Sequence, residues 1–178
     1  IQKRELELVK KQLEMGNETV LTIARTVDAK DVNTSQHSAR VAEYSVMIGK
    51  ELGFDEQKCS ELKRGALLHD IGKIGIPDRI LNKPERLTDE EYKEMKSHVV
   101  KGGEILKSFT LIDNIEEGAL YHHERYDGKG YVHGLKGEEI PLNARIIGIA
   151  DAFDAMTANR VYRKKLDMDF VIGELKKG

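Results

Sequence analysis

Leu67–Leu68–His69–Asp70–Ile71–Gly72–Lys73 sets a histidine and an aspartate side by side in an apolar run. A buried carboxylate costs several kcal/mol unless it is paired, hydrogen-bonded or bound to a metal. Asp70 therefore needs partners, and the histidine beside it is the first candidate. Upstream, Asp55 is a plausible N-cap for a helix that runs into this stretch. Downstream, Gly72, Gly75 and Pro77 break the helical pattern.

Outward from this centre the chain reads as helices. Gln36 to Gly53 forms one, with Gly53 as its C-cap residue. Thr88 and Glu91 form a capping-box signature for another, predicted to continue through about Lys107. A further helix is expected from about Leu111 to Glu124, followed by a Gly-rich loop from Arg125 to Glu139. Pro141 stands at the start of a helix that carries Asp151 towards Ala158, and a last segment begins before Gly178. Alternating apolar runs are few, so the fold class is all-α, a helical bundle with a Gly-rich loop.

The N-terminal segment, residues 1–30, is read as a helix or linker ahead of a domain over 31–178. Leu6, Leu13, Val20 and Val27 recur every seven residues, with Val9 and Ile23 at the companion spacing and Gly16 interrupting that row. Two readings stand side by side. One is a signalling-type helix that joins an upstream sensor and forms a homodimer; the other is an amphipathic helix packing on its own domain. Ile1 is not an initiating Met and is expected to lie inside a longer protein.

The 178 residues suit one domain with an appended helix. Charged residues are 34% and hydrophobic ones 39%, which marks a globular chain rather than a disordered one. No apolar run approaches the roughly 18 residues of a membrane span. The net charge of -2 argues against DNA as a partner. Cys59 is the only cysteine, which excludes an intrachain disulfide and suits a reducing cytoplasm. Its apolar helical setting makes it a core residue.

The histidines carry the chemistry. There are six, and five of them fall about one helix apart: His37, His69, His98 and the adjacent pair His122–His123. Asp151 sits in Ile149–Ala150–Asp151–Ala152–Phe153, a second carboxylate among apolar neighbours. Neighbouring helical residues point about 100° apart, so His69 and Asp70 cannot share a narrow face but can reach adjacent metals. Each residue alone has an ordinary explanation: a surface or capping histidine, or an interhelical hydrogen bond for Asp151. Together they suit one bundle that delivers ligands from several helices. Mixed imidazole and carboxylate donors favour Mn, Fe, Zn or Co.

His69–Asp70 in its apolar stretch resembles the signature of the HD phosphohydrolase superfamily. The run His122–His123–Glu124–Arg125–Tyr126–Asp127–Gly128–Lys129–Gly130–Tyr131 resembles the HD-GYP family of bacterial cyclic di-GMP phosphodiesterases. So do Gly134–Leu135, Ile140–Pro141 and Asp151–Ala152–Phe153–Asp154–Ala155–Met156–Thr157, with Arg160, Tyr162 and Arg163 following. The resemblance implies a helical bundle of the HD-domain type that binds two divalent metal ions, iron or manganese. It implies one ion on His37, His69, Asp70 and Asp151. Asp70 would bridge to a second ion on His98, His122 and His123. Two ions about 3.5–4 Å apart can share a hydroxide and lower its pKa. The implied activity is hydrolysis of cyclic di-GMP to linear pGpG, and onward to GMP.

The resemblance places Lys73 at the scissile phosphate, and Tyr131, Arg160 and Arg163 at the nucleotide. Lys73 on a continuing helix would return to the face of Asp70; alone it would be a solvent lysine, and the arginines exposed ion-pairing groups. His133 matches no ligand position and is expected at the surface. Val132 stands where the family's name-giving tripeptide has proline. Asn33 stands where three-metal relatives carry glutamate, so two ions are expected. The family continues past a segment missing here, so the domain is expected to be truncated at its C-terminus. Alternatives are a non-catalytic cyclic dinucleotide receptor or interaction module, and a phosphodiesterase for another cyclic dinucleotide.

Overall fold

Asp55 caps a helix as its sequence suggests: its carboxylate accepts the Lys58 N–H at 2.8 Å and opens α3, Glu56–Leu67. In the computed structural model, which describes residues 2–31, 36–109, 112–158 and 166–177, α1 spans Gln2–Lys30 and α2 spans His37–Glu51. A 3-10 turn, Ile71–Gly75, follows α3; then come α4 (Asp78–Leu81), α5 (Asp89–Lys96), α6 (His98–Leu106) and α7 (Glu116–Tyr121). A second 3-10 turn at Gly137–Glu139 leads to α8 (Leu142–Thr157) and α9 (Met168–Leu175). No strand occurs among the described residues, and none of their helices is long and apolar enough to cross a membrane. The all-α expectation is met.

The core is the shared inner face of α1, α2, α3, α7 and α8. Val41 and Ala42, Leu62 and Ala66, Ala119, and Ile146, Ile147 and Ala150 are buried together. The C-terminal turns of α1 join them through Val20, Ala24 and Val27. Its N-terminal turns project outward, with Leu6 58% and Val9 60% exposed. The seven-residue row therefore has two environments: Val20 and Val27 pack on their own domain, while Leu6 does not. The side chain of Leu13 lies outside the described residues.

Three expected boundaries differ. His69 and Asp70 lie beyond the end of α3, not within it. The chain there continues as a 3-10 turn, in which residues three apart eclipse, and this brings Lys73 over Asp70. The helix expected from Thr88 to Lys107 is broken at Ser97. Its hydroxyl donates to the Glu94 carbonyl at 2.6 Å and its N–H to the same carbonyl at 3.0 Å. That local competition ends α5 at Lys96, two residues before His98. The helix expected from Leu111 to Glu124 is shorter, because Asn114 adopts φ 57 just ahead of it and His122 follows its last turn; Leu111 lies outside the described residues. The capping box of Thr88 and Glu91 is present.

Close backbone approach joins the 3-10 turn to α6. A Cβ at Gly72 would meet the His98 carbonyl oxygen at 1.8 Å and the Gly102 nitrogen at 2.5 Å. Neither can retreat, since both belong to α6. Gly72→Ala should destabilise the fold by about 3 kcal/mol or more. In thermal unfolding that is a fall in Tm of roughly 6–12 °C for a chain of this size. An unchanged Tm would mean that these two elements do not touch as described.

Candidate metal centre

Helix ends supply most of the site. His37 is the first residue of α2 and His98 the first of α6. His69 and Asp70 follow α3, and His122 and His123 follow α7. Asp151 comes from the middle of α8. The structure brings all seven expected ligands together. Asp70 is at the centre: its Oδ2 lies 3.4 Å from His69 Nε2 and 3.9 Å from His37 Nε2. Its Oδ1 lies 3.4 Å from His98 Nε2 and 3.8 Å from His122 Nε2. Asp151 Oδ1 is 3.2 Å from His37 Nε2, and the His122 and His123 rings are 4.0 Å apart.

Among the described residues, three groups have donor atoms within 4.8 Å of one another: Asp70 with His98, His122 and His123; His37 with His69 and Asp70; and His69 with His122 and Asp151. The first two share Asp70; the first holds the four donors expected for one ion, and the second three of the four expected for the other, with Asp151 falling in the third group instead. The third crosses between them, so the halves adjoin.

The donors are oriented for a cation. His69 Nδ1 bonds the Ala66 carbonyl at 2.6 Å, His98 Nδ1 the Met95 carbonyl at 2.7 Å, and His122 Nδ1 the Gly118 carbonyl at 2.9 Å. A carbonyl accepts only, so each Nδ1 carries a proton, and in the neutral ring each Nε2 keeps its lone pair. Those three Nε2 atoms are buried and make no hydrogen bond. Three orphaned lone pairs around one buried carboxylate fit a divalent metal better than a packed core.

The charges divide the cluster. Burial works to lower His37, but hydrogen bonds to Asp151 and Asp154 outweigh it and push it up to about 9. Burial likewise opposes the charge of His69, and Asp70 beside it prevails and raises it. On the other side, burial lowers His98, holds His122 well down and pushes His123 to about 4. Burial would raise Asp70, yet Lys73 and His69 keep it well below the usual carboxylate range. Lys73 lies 2.7 Å from Asp70 and 3.1 Å from Asp31; these carboxylates overcome its burial and keep it charged.

Sequence reasoning missed the supports. Asp154 is 1% exposed and bonds His37 Nδ1 at 2.7 Å, while Arg40 grips both its oxygens at 2.6 and 3.0 Å. Its position one helical turn after Asp151 was the available signal. Glu124 is buried and accepts the backbone N–H groups of His133, Gly134 and Leu135, which anchors the Gly-rich loop. That loop lays Tyr131 on His123, with ring centroids 4.7 Å apart and planes 28° apart. His133 is exposed, as expected. Asn33, Arg160, Tyr162 and Arg163 lie outside the described residues.

This geometry leads to two expected outcomes. Asp154→Asn should weaken divalent metal binding roughly 10–100-fold, because the outer partner of His37 is lost; titration with Mn(II) measures it, and unchanged affinity would remove Asp154 from the site. Metal binding at neutral pH should also release the proton that His37 carries up to about pH 9. Affinity should then rise roughly tenfold per pH unit below that value for one displaced proton. Calorimetry in buffers of different ionisation enthalpy counts the protons, and a count of zero would contradict the assignment of His37.

A model of the HD domain family matches residues 22–178. The cyclic di-GMP phosphodiesterase response regulator RpfG of Xanthomonas campestris pv. campestris is 41% identical over 165 residues, covering 91% of this chain and 43% of the relative. The 3'3'-cGAMP-specific phosphodiesterase 3 of Vibrio cholerae is 40% identical over 150 residues, 84% of this chain and 33% of the relative. The chain thus spans less than half the length of these two relatives. Among solved structures, the HD domain of the L. monocytogenes phosphodiesterase PgpH, in complex with cyclic-di-AMP, shares the fold. Its TM-score is 0.64 at 20% identity, over 89% of this chain and 81% of that one. A match along most of the chain, with His69–Asp70 at the centre of the ligand cluster, means that it belongs to the HD domain family, in its HD-GYP branch.

Proposed function

We propose that this domain is a metal-dependent phosphodiesterase that hydrolyses cyclic di-GMP. The observation that carries the reading is Asp70, which turns one oxygen to His37 and His69 and the other to His98 and His122. That is the arrangement of a bridging carboxylate. In this reading two ions, iron or manganese, are held by His37, His69, Asp70 and Asp151 on one side and by Asp70, His98, His122 and His123 on the other. When bound, such a pair supplies the positive charge and the acidified water that phosphodiester hydrolysis needs.

The chain's own groups do the rest. Lys73, kept protonated by Asp70 and Asp31, brings a fixed cation to the scissile phosphate. Tyr131 walls the site beside His123, and the family resemblance assigns Arg160 and Arg163 to the nucleotide. Water adds across one P–O3′ bond, leaving a 5′-phosphate and a free 3′-hydroxyl in linear pGpG. A second cut gives GMP. Asn33, in place of a carboxylate ligand, favours two ions over three. Residues 1–30 are read as a helical connector from an upstream sensory or receiver domain, with a homodimer contact along its exposed N-terminal turns and its last turns packed on the domain's core, and residues 31–178 as the catalytic domain. A cytoplasmic setting is part of the same reading.

Base preference is the open variable, since one relative carries cyclic di-GMP in its name and another 3'3'-cGAMP. The test is anaerobically purified protein loaded with Fe(II) or Mn(II) and offered cyclic di-GMP, 3'3'-cGAMP and cyclic di-AMP. Cyclic di-GMP should be linearised fastest. Asp70→Ala should lose both metal and activity. Lys73→Ala should keep its metal and turn over roughly 10²-fold more slowly, the scale for removing one charged transition-state contact. A fully metallated parent that leaves all three substrates intact would sink the proposal.

A further inference from the structure

The last turn of α5 does two things at once. Met95 lends its carbonyl to His98 Nδ1, and Lys96, the next residue, swings its ammonium towards the Gly-rich loop. Lys96 Nζ sits 5.7 Å from the Tyr131 ring centroid and 4.9 Å from that of Tyr92, one helical turn earlier. From the cluster outward the groups form a continuous series. His98 and His123 are 5.2 Å apart, His123 and Tyr131 4.7 Å, and Lys96 with Tyr92 comes next. Among the described residues the ammonium of Lys96 contacts rings and no carboxylate. That differs from Lys73, which is held between two aspartates. Tyr92 remains 48% exposed.

Resting on the phosphodiesterase reading above, we propose that Tyr92 and Lys96 form a nucleotide subsite at the rim of the metal centre, in which Lys96 takes the non-scissile phosphate and Tyr92 stacks a purine. A cyclic dinucleotide carries two phosphodiesters in one ring. When one is at the cluster, the other is held nearby and is still anionic. It needs a cation that the cluster does not consume. Lys96 is such a cation, set against two rings and, among the described residues, free of a competing carboxylate. An exposed aromatic beside it matches how flexible nucleotides are held, with the backbone on a cation and a base on a π-face. The subsite selects for a second phosphate, and so for a dinucleotide over a simple phosphate ester.

The test uses the metal-loaded protein and the bis-phosphorothioate analogue of cyclic di-GMP, which keeps both charges and resists turnover. Equilibrium dialysis at low and high salt reads binding, and metal content is measured on every variant. Lys96→Met should weaken binding about tenfold and flatten its salt dependence, as loss of a screened charge contact requires, while Lys96→Arg restores both. Tyr92→Ala should weaken binding by roughly fivefold or more, the scale of one stacked base, and Tyr92→Phe should not. Lys93→Met, which removes an exposed charge from the same helix, is the comparator and should bind as the parent does. Parent-like binding by Lys96→Met overturns the subsite and leaves the phosphodiesterase reading standing if the parent still cleaves cyclic di-GMP. Loss of metal from Lys96→Met also overturns it, by making Lys96 part of the scaffold. A parent that neither binds the analogue nor cleaves the substrate overturns both.

Discussion

A carboxylate with 5% of its residue surface exposed, ringed by imidazoles, is the constraint around which this bundle is arranged. Asp70 cannot be accommodated by hydrogen bonds of the usual kind, because the nearest ring nitrogens are the Nε2 atoms of four histidines at 3.4–3.9 Å. Among the described residues, only Lys73 is at close ion-pair distance from it, at 2.7 Å. Burying one charge among so many lone pairs is unfavourable unless cations join them. The observed helix lengths bring those donors together. Four of the ligand-bearing segments are helix ends rather than helix middles. There a side chain can reach into a common space without its whole helix passing through it.

The local geometry shows how short-range bonds set long-range chemistry. At a helix end the last carbonyls lack intrahelical partners. His69 and His122 each satisfy one with Nδ1, and His98 does the same with Met95 at the end of α5. The backbone thereby gains a donor and the ring is locked with Nε2 outward. His37 differs: it begins a helix, and its Nδ1 faces a carboxylate instead. Asp154 takes over the orienting role from α8, and Arg40 fixes Asp154 in turn. One ligand is thus held by tertiary contacts and three by their own turns.

That difference explains what could be read from the chain beforehand. Histidines are scarce, and an apolar setting for His69, Asp70 and Asp151 signals function, so the residues that the fold gathers were visible as candidate donors. The supports were not, because their partners are far apart in sequence. Asp154 and His37 are separated by 117 residues, and Lys73 and Asp31 by 42. Read locally, Asp154 and Asp31 look like surface carboxylates. The break at Ser97 was illegible for the opposite reason. It rests on one hydroxyl competing for a carbonyl, with no glycine or proline to mark it. Glu124 passed as part of a polar run because its three amide donors come from a loop whose path periodicity cannot predict.

The cluster is also chemically unequal from side to side, and the cause lies in where the carboxylates fall. Asp151 and Asp154 converge on His37, and Asp70 adds to them; this half is anionic and favours cations of any kind, protons included. The half built from His98, His122 and His123 shares only Asp70, and burial keeps its rings neutral. A proton and a metal therefore compete at the first half far more than at the second. Harder ions are favoured where oxygen donors gather, and softer ones where nitrogen dominates.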